Sequence, residues 1–192
     1  MKTTEYFNSI AQFRDMDYSD TELAREITAA ISIPRGGGYA LDIGCGSGGM
    51  ILDLLRYGAC EVEGVDLSEK MVEMAREKYY FDPRVHIETA DFFALDRGGY
   101  DLAVAFNSYQ HFLRPGAFIA KAHALLRQEG RLTVAFGFGR KRVNALSATL
   151  PEGIARQLRS AVEEARDWEP FFEVDCICDT DELFLISGHA AL

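Results

Sequence analysis

Basic residues are scarce in this chain of 192 residues, which has 20 lysines and arginines against 30 aspartates and glutamates. The formal net charge is -10. Because proteins that bind nucleic acids need a positive surface to neutralise phosphates, this composition argues against a nucleic acid as substrate or partner. A small molecule, or another protein, fits the composition better.

Cysteines and long apolar runs are also scarce. The four cysteines form no C-x-x-C pair, so we predict no metal centre and reduced thiols. No run approaches the roughly 20 apolar residues that span a bilayer. No apolar secretory segment follows Met1, so we expect a cytoplasmic protein that does not enter a membrane.

The most informative segment that is present runs from Leu41 to Gly49 and reads LDIGCGSGG. It joins the end of an apolar strand, the acidic residue Asp42 and a loop rich in glycine. Glycine lets a backbone turn sharply and approach a ligand closely, so this loop predicts a nucleotide cofactor. The loop also fits the dinucleotide pattern G-x-G-x-x-G through Gly44, Gly46 and Gly49, which leaves two classes of enzyme open.

Asp42 helps to separate these two classes. A carboxylate at this strand end repels a pyrophosphate at the following helix N-terminus, but it attracts the ammonium group of an amino-acid ligand. S-adenosylmethionine carries such an ammonium group. With its acidic residue two places before the first glycine, the segment resembles motif I of the class I S-adenosylmethionine-dependent methyltransferases.

Later segments extend this resemblance over residues 36–136. The sequence EVEGVD reads as a second strand that ends in Asp66, where a carboxylate can accept the ribose hydroxyls. VHIETADF resembles the third motif of the family, which implies that Asp91 meets the adenine amino group and that Phe92 flanks the ring. YDLAVAFN resembles the fourth strand, whose end, at Asn107, opens onto the transferred methyl group.

The turn into the fifth strand, LLRQEGRLTV, departs from the family pattern. Gln128 and Glu129 stand where a proline and a glycine are usual. Gly130 is kept, and we expect it to supply the positive φ at the end of the preceding helix.

The resemblance implies a site for S-adenosyl-L-methionine, which leaves as S-adenosyl-L-homocysteine. An N-terminal aromatic segment often closes over the cofactor in similar small methyltransferases, although a helix packed on the sheet is equally open here. The adenine neighbours could likewise be ordinary packing residues. The predicted cofactor contacts are Tyr6, Phe7, Asp42, Gly44, Cys45, Gly46, Gly48, Asp66, Leu67, Met71, Ala90, Asp91, Phe92 and Asn107.

The loop after the fourth strand holds two candidate catalytic residues. His111 could take a proton from a hydroxyl acceptor near neutral pH, or it could be a hydrogen-bonded structural histidine. Tyr109 could orient a substrate, or it could simply pack. After the fifth strand, the basic run from Arg140 to Arg142 could attract a substrate carboxylate or phosphate, or it could be solvated.

The alternation of elements predicts an α/β fold with a seven-stranded Rossmann-like sheet, mainly parallel, and helices on both faces. Only the segment Asp179 to Glu182 separates the last two strands, so they should form a C-terminal hairpin with one antiparallel strand. Class I methyltransferases end in this way, whereas dinucleotide domains add strands through helical crossovers. The predicted strands are 39–42, 61–66, 85–89, 100–106, 131–136, 172–178 and 183–187.

We predict one domain over residues 1–192. It comprises an N-terminal aromatic segment and helix (1–35), a cofactor-binding core (36–136), and a helical insert with the terminal hairpin (137–192). The helix should begin near Ser19 or Asp20 and bury a stripe formed by Leu23, Ile27, Ala30 and Ile31.

The predicted activity is methyl transfer to a small-molecule acceptor by in-line displacement, with the oligomeric state open. Three alternatives remain. They are a non-catalytic module that binds S-adenosylmethionine or a partner, an NAD-dependent dehydrogenase, and an aminopropyl transferase. The last would need acidic residues in the loop 107–112, which has none.

Overall fold

The computed structural model describes residues 3–14 and 21–191, which build a seven-stranded sheet covered by helices. The described helices include none that is long and apolar enough to cross a membrane. The strands are β1 (Gly38–Ile43), β2 (Ala59–Asp66), β3 (Val85–Thr89), β4 (Tyr100–Phe106), β5 (Leu126–Phe136), β6 (Phe172–Asp179) and β7 (Phe184–Ala190). The helices are α1 (Thr3–Arg14), α2 (Glu22–Ser32), α3 (Ile51–Tyr57), α4 (Glu69–Lys78), α5 (Pro115–Leu125), α6 (Arg140–Ser147) and α7 (Ala161–Arg166), with short 3-10 turns at Phe92–Ala94 and Tyr109–His111.

The strand order is β3-β2-β1-β4-β5-β7-β6. The first five strands in this order are parallel, whereas β7 runs antiparallel to both β5 and β6. The predicted fold class and the C-terminal hairpin are therefore confirmed. A reversed strand beside β5 also opposes the dehydrogenase alternative, because dinucleotide domains extend their sheets through parallel crossovers.

Two apolar cores lie on opposite faces of the sheet, because successive strand residues point to opposite sides. Leu41 and Ile43 of β1 join a core with α5 and α7, while Ala40, which precedes Leu41, joins a core with α2 and α3 on the other face. Both faces of the central strands are thus buried, as expected where helices cover a parallel sheet on each side.

The predicted burial of α2 is wrong for Leu23 and Ala30, which are exposed, but Ile27 and Ile31 are partly buried and pack against the core as predicted. Leu23 is 69% exposed, and the helix instead buries Ala24, Thr28, Ala29 and Ser32. The Thr28 and Ser32 hydroxyls donate hydrogen bonds to backbone carbonyls four residues earlier, which satisfies these polar groups inside the core. The packed face therefore combines small, fully buried side chains with the partly buried Ile27 and Ile31. The predicted start of the helix, at residue 19 or 20, lies outside the described residues.

The turn into β5 also differs from the prediction. The positive φ, +59°, belongs to Glu129, and Gly130 is not in the left-handed region. A Cβ on Gly130 would lie 2.8 Å from the Arg127 carbonyl oxygen, so this position needs a glycine for close packing of the backbone. β5 begins at Leu126, earlier than predicted, and includes this turn.

Candidate functional site

A cavity of about 370 Å³ lies along the carboxyl ends of β3, β2, β1, β4 and β5. Thr3 and Phe7 of α1 contribute to its wall, so this helix covers part of the opening. Open α/β sheets bind ligands at this edge, where the strand order changes direction, and the volume suits a small molecule. All of the predicted cofactor residues except Tyr6 and Gly48 line the cavity.

The glycine loop is attached to both neighbouring strand ends. A Cβ on Gly44, whose φ is +70°, would lie 2.7 Å from the Cβ of Ser108, and the Ser108 hydroxyl donates a hydrogen bond to the Ile43 carbonyl. The N–H of Gly46 donates to Oδ2 of Asp66 at 2.9 Å. A Cβ on Gly46 would meet no atom within 4 Å, because this part of the loop borders open space.

Asp42 ends β1 as a buried carboxylate at the cavity wall. It is 1% exposed, and its Oδ2 accepts no hydrogen bond from any residue that the structure describes. Burial raises the pKa of Asp42 to about 7, and repulsion by Asp66 adds to the shift. Since a buried polar atom usually has a partner, this oxygen suits a cationic group supplied by a ligand.

Asp66 and Asp91 lie at the ends of the next two strands in the sheet. Backbone N–H groups of Gly46 and Ser68 donate to the two carboxylate oxygens of Asp66, which fixes this side chain at the cavity. Asp91 is exposed, and its Oδ1 accepts from the N–H of Phe93. The three acidic residues expected to grip the cofactor therefore line one cavity.

The adenine neighbours predicted from sequence divide between the cavity wall and the core. Phe92 lines the cavity but is only 3% exposed, since its ring packs against Phe93, Phe112 and Phe118. Phe93 and Phe112 also line the cavity and were not predicted. The remaining predicted wall residues on this side are Leu67, Met71 and Ala90.

Cys45 lines the cavity through a buried thiol. Burial raises the pKa of this thiol well above its usual value, and the nearby Asp42 and Asp66 carboxylates raise it further. A protonated thiol is a poor nucleophile, so Cys45 contributes to the shape of the loop and not to its reactivity.

Tyr6 and Gly48 are not part of the cavity wall. The Tyr6 ring contacts the Phe7 ring, with 5.2 Å between centroids, and only Phe7 reaches the cavity. A Cβ on Gly48 would lie 2.7 Å from the Tyr79 ring, so this glycine faces α4 and not the ligand space. These two residues can affect a ligand only through their neighbours.

The predicted catalytic role of Tyr109 is not supported by its position. Its side chain is fully buried, does not line the cavity, and donates its hydroxyl to Oε2 of Glu164 at 3.1 Å. Asn107, at the end of the same strand, lines the cavity with φ +54° and accepts a hydrogen bond from the N–H of Gly137. The loop after β4 thus places Asn107 and His111, but not Tyr109, at the cavity.

His111 is hydrogen-bonded at both ring nitrogens. Nδ1 lies 2.9 Å from the Ile154 carbonyl oxygen, and Nε2 lies 2.9 Å from the amide nitrogen of Gln110. A carbonyl only accepts, so Nδ1 carries a proton and Nε2 accepts from the Gln110 amide. The Gln110 Oε1 atom has no partner among the described residues. The Phe7 ring packs edge-on against the imidazole, with 4.8 Å between centroids.

A second set of wall residues lies beyond the predicted site, at the ends of β4 and β5. Phe106, Phe138 and Thr21 line the cavity there. The guanidinium of Arg142 lies 4.6 Å from the centre of the Phe138 ring, whereas Arg140 pairs with Asp179. Phe138 could have been predicted as a wall residue, because it lies just after the end of β5. Thr21 could not, because it precedes α2 and is distant in sequence from the strand ends that form the cavity.

Comparisons with known proteins agree with this geometry. Residues 40–130 match the family model described as a methyltransferase domain. The O-methyltransferase cnsE of Penicillium expansum is 33% identical over 118 residues, which are 59% of this chain and 42% of that protein. The 27-O-demethylrifamycin SV methyltransferase of Amycolatopsis mediterranei is 31% identical over 124 residues, which are 62% of this chain and 45% of that protein.

The fold is also that of a solved methyltransferase in complex with the Trm112 methyltransferase activator of Haloferax volcanii. The two chains share 20% identity and a TM-score of 0.80, over 100% of this chain and 98% of the other. This chain spans less than half the length of the first curated relatives that it matches.

Proposed function

We propose that this chain, whose residues 40–130 match a methyltransferase domain, acts as a class I S-adenosylmethionine-dependent methyltransferase that binds S-adenosylmethionine in the cavity and transfers the methyl group to a small-molecule acceptor. The family uses this cofactor. The acceptor class is supported by curated relatives that are named as a 27-O-demethylrifamycin SV methyltransferase and as an O-methyltransferase of ubiquinone biosynthesis.

One observation carries the cofactor proposal. The Oδ2 atom of Asp42 is buried at the cavity wall without a partner among the described residues. The ammonium group of a ligand would supply the missing hydrogen bond and a compensating charge. In this arrangement Asp66 would hold the ribose hydroxyls, and Asp91 with Phe92 would hold the adenine. NAD offers no ammonium, and its pyrophosphate would approach two carboxylates, so the same observation disfavours a dehydrogenase.

The residues of the chain would act mainly by positioning. Bound S-adenosylmethionine supplies an electrophilic methyl group on a good leaving group, the sulfonium. Holding the acceptor atom in line with that methyl can account for several kcal/mol of the rate enhancement. Asn107, with its strained φ, and the aromatic wall formed by Phe106 and Phe138 stand at the strand ends where an acceptor would lie.

His111 is the candidate base for a hydroxyl acceptor. As the acceptor oxygen forms its bond to the methyl carbon and the carbon–sulfur bond breaks, the hydroxyl proton would pass to Nε2 of His111. Nε2 accepts from the Gln110 amide, so this amide must rotate to expose the lone pair. After rotation, the unpartnered Gln110 Oε1 can accept the new N–H. A thiol acceptor, or an amine that is already neutral, would need no such base.

Thermal shift with S-adenosylmethionine, S-adenosylhomocysteine and NAD tests the cofactor first. We expect the first two to raise the melting temperature and NAD to leave it unchanged, with the shift lost in Asp42→Asn. Stabilisation by NAD alone would contradict the proposal. Transfer of a labelled methyl group to a panel of small hydroxyl, thiol and amine acceptors then tests catalysis, since tight binding without transfer would favour a non-catalytic module.

A protein partner is a second candidate, because a solved relative of the same fold is bound to a methyltransferase activator. The transfer experiment should therefore compare protein purified alone with tagged protein recovered from its own host. Activity present only in the recovered sample would indicate a partner subunit, and equal activity would favour a self-sufficient enzyme.

A further inference from the structure

Glu164 of α7 is a fully buried carboxylate close to the loop that carries His111. Arg156 donates to both of its oxygens, at 2.7 and 3.1 Å, and the Arg159 N–H and the Tyr109 hydroxyl add further hydrogen bonds. Although burial alone would raise the pKa of Glu164, the hydrogen bonds and charge of Arg156 lower it below its usual value. The carboxylate is therefore ionised and held in one position.

Arg156 connects this carboxylate to the turn on both sides of His111. Its backbone N–H donates to the Gln110 carbonyl at 2.9 Å, and its Nε donates to the Phe112 carbonyl at 3.2 Å. Its guanidinium lies 4.5 Å from the centre of the Tyr109 ring. Arg156 thus holds the residue before the histidine through its backbone and the residue after it through its side chain, and Glu164 fixes the orientation of that side chain.

The same segment determines which nitrogen of His111 carries the proton. Ile154, two residues before Arg156, supplies the carbonyl that accepts from Nδ1. The Nδ1–H tautomer requires this carbonyl to stay in place, because the hydrogen bond at one ring nitrogen sets the protonation of the other. Removing the anchor of the segment would release the carbonyl and allow the other tautomer.

We propose that Glu164 and Arg156 are positioning residues that hold His111 in its Nδ1–H tautomer, with Nε2 as the basic nitrogen at the cavity. The catalytic meaning of this arrangement rests on the proposed function, but the tautomer itself does not. Both residues lie outside the segment 40–130 that matches the methyltransferase domain family. The C-terminal part of this chain would thus control a side chain of the cofactor domain.

The chain offers a matched control in Glu63. It is also a buried glutamate, 4% exposed, and it accepts hydrogen bonds from Arg97, Tyr39 and Tyr100. None of these partners belongs to the loop 107–112. Glu63→Gln should therefore disturb a comparable buried network without reaching His111.

Nitrogen-15 NMR of the histidine side chains tests the proposal, with the His111 signals assigned by their loss in His111→Gln. In the unmodified protein we expect two well-separated ring-nitrogen signals, with the proton on Nδ1. Glu164→Gln and Arg156→Lys should move both signals toward an intermediate position, while Glu63→Gln leaves them unchanged. Unchanged signals in both of the first variants, or an equal change in Glu63→Gln, would overturn the proposal.

Two further measurements keep the result interpretable. If Glu164→Gln does not fold, as judged by urea denaturation, Arg156→Lys keeps the buried charge paired and still removes the hydrogen bond to Phe112. When an acceptor is known, full activity in His111→Gln together with the expected tautomer change would support positioning and refute the role of His111 as a base. The two proposals can therefore fail separately.

Discussion

The affinity for the cofactor should depend on pH through Asp42. In the free protein the pKa of this carboxyl is about 7, so most molecules carry it protonated and neutral at mildly acidic pH. A bound ammonium group favours the charged carboxylate and lowers that pKa in the complex. Binding at acidic pH must therefore remove a proton from Asp42, and affinity should rise as pH increases toward neutrality.

The size of the effect follows from the fraction of free protein in which Asp42 is charged. With a pKa of about 7, that fraction is about 0.03 at pH 5.5 and about 0.5 at pH 7.0, so Kd should be about 15-fold weaker at the lower pH. At pH 6.0 about 0.9 proton should be released for each ligand bound. If the carboxyl had an ordinary pKa, it would be charged at every pH in this range, and Kd would show almost no change.

Isothermal titration calorimetry with S-adenosylhomocysteine measures both quantities, because this product keeps the ammonium group and lacks the reactive sulfonium. Titrations in buffers of different ionisation enthalpy count the protons released. Asp42→Asn should weaken binding and remove the pH dependence of Kd. Asp91→Asn should also weaken binding, but the pH dependence of Kd should remain. A constant Kd between pH 5.5 and 7.0, or a pH dependence that survives Asp42→Asn, would refute the reasoning.

Three further predictions concern stability, measured by urea denaturation. Because the folded pKa of Asp42 lies above its unfolded value of 3.8, the free protein should lose stability as pH rises from about 4 to 7, and Asp42→Asn should raise the free energy of unfolding at pH 8 by about 1 to 4 kcal/mol. An unchanged profile in Asp42→Asn would contradict this. Gly44→Ala should cost about 2 to 4 kcal/mol and Gly153→Ala only about 1, since both have positive φ but only Gly44 has a close neighbour. Equal losses would show that the contact is unimportant. Tyr109→Phe should lower the free energy of unfolding by about 1 kcal/mol, because it removes the hydrogen bond to Glu164, and it should leave ligand affinity unchanged. Weaker S-adenosylhomocysteine binding in this variant would show that Tyr109 does contribute to the binding site.

The cofactor half of the cavity could be predicted because its determinants are local in sequence. Each acidic residue lies at or just after the end of a strand, and the carboxyl ends of parallel strands meet at one edge of the sheet. Asp42, Asp66 and Asp91 therefore come together once the strands are placed in order. The strand bounds Val85–Thr89 and Tyr100–Phe106 were predicted without error for the same reason.

The other half depends on contacts between distant segments, which no local pattern determines. Tyr109 and His111 stand two positions apart, yet one is buried against Glu164 and the other lines the cavity, because a 3-10 turn points them in different directions. Arg156 and Ile154 pack against that turn through hydrogen bonds to Gln110 and His111. The loop after β4 is thus held by hydrogen bonds to residues more than 40 positions later in the chain. These contacts form only in the folded protein, so no local sequence pattern predicts them.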